Sequence, residues 1–298
     1  MKHSFILFTG YNCNYNCSYC FQRNVRKISN EDSKIINNKL LTSTQKVADL
    51  FENNSYLANS YNKTVQILGG EPMLYDIEKV IEILITSKNI KSIRLFSNMS
   101  ANIDRYKNII SNCKKNNIRL DLSCSFHPEK IDLNDFANVI KKIFVEDKNI
   151  KMIPKLVVTN NCTVNFLKEF LSKLKELNIE ASILPEYSPC TDTNMVCDFE
   201  CNLSEELFNF TLNHILIKSK NNWPLIKEII MSSRDKENRF LKEPIYVVPN
   251  LYMDYNGKIF YPCNGCKEIK ENEITQNKLK ILCNDKNCML YNECQKIK

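Results

Sequence analysis

Glycine is scarce in this chain. Its 298 residues hold only five, against the roughly 7% usual in proteins. Each of Gly10, Gly69, Gly70, Gly257 and Gly265 is therefore expected to mark a turn or a close backbone approach. Long apolar runs are missing too: none reaches the ~20 residues that a membrane span needs. Residues 1–10 lack the basic flank and small-residue cleavage site of a signal peptide, so a cytoplasmic protein is expected. Basic clustering is a third absence. The 41 lysines and arginines outnumber the 34 acidic residues, giving a net charge of +7, but they are scattered among asparagines and isoleucines. Only short groups such as Lys114-Lys115 occur, which argues against a nucleic-acid surface.

Hydrophobic residues, by contrast, make up 43% of the chain, enough for a sizeable core. Fourteen cysteines are present, and in a cytosolic protein so many thiols point to metal ligation before disulfides. Three of them, Cys13, Cys17 and Cys20, form CNYNCSYC, a C-x3-C-x2-C pattern directly after the apolar run HSFILFTG. Chance placement of the 14 cysteines would give that spacing only about 0.03 times in a chain of this length. Cys113, Cys124 and Cys162 lie inside or beside predicted regular elements and are read as packed small hydrophobes.

Apolar, β-branched runs recur at 5–10, 64–70, 92–98, 118–126, 152–160 and 180–188. Segments of helical period separate them, such as Val80, Ile81, Leu84, Ile85 and Phe166, Leu167, Phe170, Leu171, Leu174. Six strands alternating with helices predict an α/β fold with parallel strands, read as a partial (β/α)6 TIM-like barrel in preference to a doubly wound sheet. In such folds chemistry gathers at the carboxyl ends of the strands. The residues just past each strand are small, polar or ligating: the cysteine loop, Gly69-Gly70-Glu71-Pro72, Ser97-Asn98, Ser125-Phe126-His127, Thr159-Asn160-Asn161 and Tyr187. After a helix near 204–221 the pattern changes. Residues 245–262 read as a hairpin turning at Asn256-Gly257, and Cys263, Cys266, Cys283, Cys288 and Cys294 come after it. A boundary at the charged stretch 233–243 divides the chain into a barrel domain, 1–232, and a small cysteine-rich domain, 233–298.

Three thiols are one fewer than a structural zinc or a fully protein-ligated iron–sulfur cluster takes. A [4Fe–4S] cluster on three cysteines keeps one iron open. By this feature, and by GGEP one βα unit later, the sequence resembles the radical S-adenosylmethionine superfamily. The aromatic Tyr19 before the last cysteine also matches its motif. The resemblance implies that the open iron chelates S-adenosylmethionine, whose reductive cleavage yields a 5′-deoxyadenosyl radical that abstracts a substrate hydrogen. It further implies that Gly69, Gly70, Glu71 and Pro72 contact the cofactor, with Ser97 on the same rim. Ser125 falls where related enzymes approach the cofactor's carboxylate, and Asn160 or Asn161 is a candidate for its ribose or carboxylate. This chain has Ser125-Phe126-His127 where the family often has S-x-D, so no aspartate role transfers. His127, Tyr187 and Cys190 are candidates for the substrate site. A packing histidine and plain turn asparagines are the alternatives.

The tail resembles the auxiliary-cluster region of the SPASM and twitch subgroups. It departs from them: no cysteine lies in PIYVVPN at 244–250, and the last three are spaced C-x4-C-x5-C before the chain ends. One auxiliary [4Fe–4S] cluster is expected on four of the five tail cysteines, either Cys263, Cys283, Cys288 and Cys294 or a set including Cys266. A zinc ribbon is the alternative. Cys190, Cys197 and Cys201 match no zinc spacing. The resemblance implies a radical enzyme modifying a ribosomally made peptide by thioether, carbon–carbon or oxidative chemistry, or else acting on a sugar, aminocyclitol or amino acid. A reducing partner such as flavodoxin or ferredoxin is implied. With strand one starting at residue 5, a separate leader-peptide-binding protein is the expected partner for the peptide reading. A zinc-stabilised binding protein without catalysis is the reading from another class.

Overall fold

The computed structural model describes residues 5–20, 22–23, 32–144, 146–186, 203–214, 240–248, 251–261, 267–274, 281–285 and 295–296. Six strands lie in order along one sheet: β1 (Phe5–Phe8), β2 (Thr64–Leu68), β3 (Ser92–Ser97), β4 (Arg119–Phe126), β5 (Ile150–Val158) and β6 (Ser182–Pro185). Every neighbouring pair among them is parallel. Parallel neighbours need a crossover, and helices supply it: α1 (Ser33–Asn53) and α2 (Ser55–Ser60), α3 (Ile77–Ile85), α4 (Ile103–Lys115), α5 (Leu133–Ile143) and α6 (Val164–Glu176). A further helix, α7 (Glu205–His214), comes after β6.

From β1 to β6 the strand order never reverses, so this stretch of the sheet holds no internal switch point of the doubly wound kind. Burial differs between strands. Along β3 and β5 buried residues strictly alternate with half-buried ones such as Arg94, Phe96 and Lys155, whereas β1 and most of β4 are buried on both faces. Among the described residues the sheet is open, with β6 and β10 (Lys267–Ile269) at its edges.

Local chemistry explains the helices. Asp32, Asn54, Asp76, Asn102, Asp132 and Thr163 each accept a hydrogen bond from a backbone N–H in the first turn of α1 to α6 respectively. Such a cap is worth about 1 kcal/mol. On α5 the buried positions Leu133, Phe136, Ala137, Ile140 and Ile143 make one apolar stripe. Phe136 packs against Phe126 with ring centres 4.8 Å apart, and Phe170 of α6 stacks on Phe126 at 5.4 Å.

The sheet continues beyond β1. Strand β7 (Phe240–Val248) belongs to a separate three-stranded sheet, between β11 (Ile281–Asp285) and β12 (Gln295–Lys296). Strand β8 (Leu251–Asp254) instead pairs in parallel with β1, Phe5 opposite Leu251. Antiparallel β9 (Ile259–Tyr261) and β10 (Lys267–Ile269) extend it outward. The expected hairpin turn is present, with Gly257 at φ +78°. The hairpin itself is shorter than its sequence suggested, β8 to β9, because β7 turns away into the second sheet. Helix α1 holds it in place: Ser43 Oγ donates to the Tyr255 carbonyl at 3.0 Å and Lys46 Nζ to that of Gly257 at 3.3 Å.

Candidate metal centre

The three cysteines of CNYNCSYC sit on the loop leaving the carboxyl end of β1, and three strand-end turns grip that loop. The first is the turn after β2. Pairing of β1 with β2 runs on past both strands: Thr9 N–H donates to Leu68 O (2.9 Å), Gly70 N–H to Gly10 O (2.8 Å) and Glu71 N–H to Asn12 O (2.8 Å). A Cβ on Gly69 would stand 2.3 Å from Thr9 Oγ1 and 2.6 Å from Gly10 O. On Gly70 it would stand 2.2 Å from Asn12 O and 2.5 Å from Tyr11 O. Two glycines are needed here because the cysteine loop itself lies against them.

Glu71 is 1% exposed. Its Oε1 accepts from Met73 N–H (3.0 Å) and Ser97 Oγ–H (2.9 Å), and its Oε2 from Asn98 N–H (2.6 Å). Burial pushes its carboxyl above the ordinary range, although these three donors and Arg105 pull the other way. Pro72 opens the short 3-10 turn, Pro72–Leu74, that the same carboxylate caps. Ser97 Oγ also lies 2.8 Å from Tyr106 Oη of α4. The carboxylate thus ties the ends of β2 and β3 together directly beneath the loop.

The second grip is the turn after β3. Asn98 Nδ2 donates to Asn14 Oδ1 at 2.9 Å and lies 3.8 Å from Cys13 Sγ. Asn14 Nδ2 donates to Ser100 Oγ at 2.8 Å. Cys13 Sγ further accepts from Tyr15 N–H at 3.4 Å.

The third is the turn after β4. His127 Nδ1 is 3.3 Å from Cys17 Sγ and 2.8 Å from Tyr19 Oη. The imidazole lies parallel to the Tyr19 ring at 5.9 Å and edge-on to Tyr15 at 5.6 Å. Two residues on, the Glu129 carboxylate accepts from Ser18 N–H at 3.0 Å and from Ser18 Oγ–H. Burial pushes its carboxyl up, but the two Ser18 donors together with the nearby Lys130 charge outweigh it and hold the group below the usual range.

The surroundings of Cys17 favour its protonated thiol. Burial pushes Cys17 up to about 11, opposed by a hydrogen bond from Tyr19 and reinforced by Cys20 and Cys13 nearby. Burial likewise raises Tyr19. A metal ligand is the thiolate, so a metal bound at Cys17 would displace that proton. Among the described residues, no three His, Cys, Asp or Glu side chains converge on a site for one ion. A cubane does not ask them to, because each thiolate takes a different iron.

The other predicted residues divide. Ser125 is half-buried on β4, opposite Lys155 of β5. Asn160 Oδ1 accepts from Ser204 N–H at 2.9 Å, and Asn161 N–H donates to Thr159 Oγ1 at 3.2 Å, so their bonds run toward α7 and their own turn. Cys113 and Cys124 are fully buried, each pushed up to about 12 by burial, as packed thiols should be. Cys162 is half-buried near Thr159. Tyr187, Cys190, Cys197, Cys201, Cys263, Cys266, Cys288 and Cys294 lie outside the described residues, and of Cys283 only its place on β11 is described. Sequence reasoning missed Asn14, Tyr106 and Glu129. The first two are ordinary residues whose role appears only when three strand ends meet, whereas Glu129 lies just two residues past the flagged His127.

Residues 4–123 match the family described as a 4Fe-4S single cluster domain. That span holds β1 to β3, the cysteine loop, GGEP and Asn98. An iron–sulfur cluster domain is therefore indicated for this part of the chain, and the three-thiol loop lies within it. Comparison with curated proteins finds no match to this chain. Among the described residues, no helix is long and apolar enough to cross a membrane.

Proposed function

We propose that the protein is a radical S-adenosylmethionine enzyme. Cys13, Cys17 and Cys20 would hold a [4Fe–4S] cluster with one open iron. The observation that carries this reading is the three-thiol loop, clamped by the GGEP, Asn98 and His127 turns inside a span that matches a 4Fe-4S domain. The bound cluster and cofactor would supply an electron and a carbon-centred radical, chemistry that no side chain provides. The chain's own residues have other tasks. Gly69 and Gly70 admit the loop, Glu71 fixes the two strand ends beneath it, and the half-buried residues of β3 and β5 would line the cavity of a partial barrel. Ser125, Asn160 and Asn161 remain candidates for cofactor contacts on the rim. Sequential parallel order from β1 to β6 and the alternating burial of β3 and β5 support the barrel reading.

The tail cysteines would hold one auxiliary [4Fe–4S] cluster, and the substrate would be a ribosomally made peptide closing the cavity against water. An electron donor of the flavodoxin or ferredoxin kind would serve it. Anaerobic purification with iron and sulfide counted per chain is the direct test: about eight of each are expected for two clusters and about four for one. Reductant and S-adenosylmethionine should then release 5′-deoxyadenosine, and Cys17→Ala should abolish the release. Zinc without sulfide, or turnover surviving in Cys17→Ala, refutes the reading. A small-molecule substrate is separated from a peptide by presenting each class to the loaded protein and measuring consumption of the cofactor.

A further inference from the structure

His127 is fixed on all sides. Its carbonyl accepts from Lys130 N–H (2.9 Å) and Ile131 N–H (3.1 Å), which pins its backbone in the turn after β4. Its ring is held between Tyr19 and Tyr15 with Nδ1 directed at Cys17 Sγ and Tyr19 Oη. While Cys17 carries a proton, its S–H can donate to Nδ1. A ligating thiolate has no proton and can only accept. Among the described residues, the side chains within hydrogen-bond reach of that sulfur are the imidazole and the Tyr19 hydroxyl, and neither can swing away without breaking their ring contact.

We propose that His127 donates a hydrogen bond from Nδ1–H to the Cys17 thiolate and so sets the reduction potential of the cluster on that loop. This inference rests on the iron–sulfur reading of the loop. Reduction adds negative charge that spreads onto the ligating sulfurs. A donor dipole aimed at one of them stabilises the reduced state more than the oxidised one, and hydrogen bonds to sulfur are among the protein's main levers on cluster potential. His127 is thus a positioning residue, acting through Cys17.

Two variants separate the donor from the ring. His127→Phe keeps an aromatic face for Tyr19 and removes the N–H, whereas His127→Gln keeps a donor and removes the ring. Each is reconstituted anaerobically with iron and sulfide, its metal content measured, and its midpoint potential read by spectroelectrochemical titration. The expected result is a midpoint more negative in His127→Phe than in wild type at equal iron content, with His127→Gln between the two. A midpoint unchanged in His127→Phe but lowered in Tyr19→Phe overturns the assignment, since the hydroxyl would then be the donor.

Should His127→Phe not fold, wild-type protein carrying 15N-histidine answers by pulsed electron paramagnetic resonance of the reduced cluster. A weak histidine nitrogen coupling with an exchangeable proton supports the hydrogen bond. No coupling, or the strong coupling of a directly ligating nitrogen, overturns it. Wild-type protein that takes up no iron and sulfide overturns the functional reading and this inference together. A loaded protein whose potential ignores His127 overturns this inference alone.

Discussion

Replacing Gly70 by alanine tests what the GGEP glycines are for. The new Cβ would lie 2.2 Å from Asn12 O and 2.5 Å from Tyr11 O, both backbone atoms. To regain even the 3.0 Å that real Cβ atoms keep, the loop and the turn must part by about 0.8 Å. Two hydrogen bonds cross that gap, Gly70 N–H to Gly10 O and Glu71 N–H to Asn12 O, each 2.8 Å long. Separation would stretch both to about 3.6 Å, beyond hydrogen-bonding range. Each buried group left unpaired costs about 1–3 kcal/mol, so a loss of roughly 2–5 kcal/mol is expected, reduced by whatever the loop recovers through relaxation. At about 2–4 °C per kcal/mol, the melting temperature of the iron-free protein should fall by roughly 4–20 °C. The assay is thermal unfolding monitored by circular dichroism, with iron uptake measured in parallel and expected to fall. If Gly70→Ala melts with the wild type and loads iron fully, the close approach of loop and turn is wrong. Unchanged melting and iron with weakened S-adenosylmethionine binding would instead make the glycine a matter of cofactor access.

Glu71→Gln replaces one acceptor oxygen with an amide that cannot accept from Asn98 N–H, and should lower the urea midpoint by the equivalent of about 1–3 kcal/mol at acidic pH. Because burial raises the folded carboxyl above its unfolded value, the wild type's contribution from this group is fully present at low pH. It is lost as pH rises through the raised folded value. Wild type and Glu71→Gln should therefore converge in stability as pH rises from the ordinary carboxylate range toward neutrality; parallel profiles would refute the shift. Arg105 donates to Met73 O at 2.5 Å and Tyr75 O at 2.8 Å and pairs with Glu78, so Arg105→Ala should free the turn behind Glu71 and cost roughly 2 kcal/mol in urea unfolding. An unchanged midpoint would show the turn to be held by Glu71 alone. Cys113 and Cys124, buried and pushed up to about 12, should resist iodoacetamide at pH 8 in native protein and react in urea, by mass spectrometry. Native labelling of either would contradict their packing in the core.

Much of this was legible in the sequence because strands and helices announce themselves by period. The runs at 64–70, 92–98 and 118–126 became β2, β3 and β4, and Asn256-Gly257 became a turn. Gly69-Gly70 was legible as a close approach but not as an approach to what: the answer lies some 60 residues earlier, in the carbonyls of Gly10 to Asn12. Glu71 read as a ligand-facing carboxylate. Its three donors come from β3 and its own turn, and only assembly of the strand ends shows them. The pairing of Leu251–Asp254 with Phe5–Phe8 had no local signal at all, since a parallel partner is chosen by an exposed edge and not by neighbouring residues. His127 stood out as a rim histidine, and its contact with Cys17 comes from the shortness of the β4 turn.

That late pairing bears on the order in which the protein can be made. Strand β1 and its thiols leave the ribosome well before the strand that covers the outer edge of β1, which is encoded some 240 residues later. During synthesis β1 can gain β2 early, which brings in Gly69, Gly70 and Glu71, but its other edge waits for residues 251–254. At about 5–20 residues per second, that wait is roughly 12–50 s. Throughout it, three closely spaced thiols sit beside an unpaired strand edge, a state open both to oxidation and to edge-to-edge association. Oxygen during expression should therefore do its greatest harm before the chain is complete, and slow anaerobic expression should improve recovery more than any treatment of the finished protein.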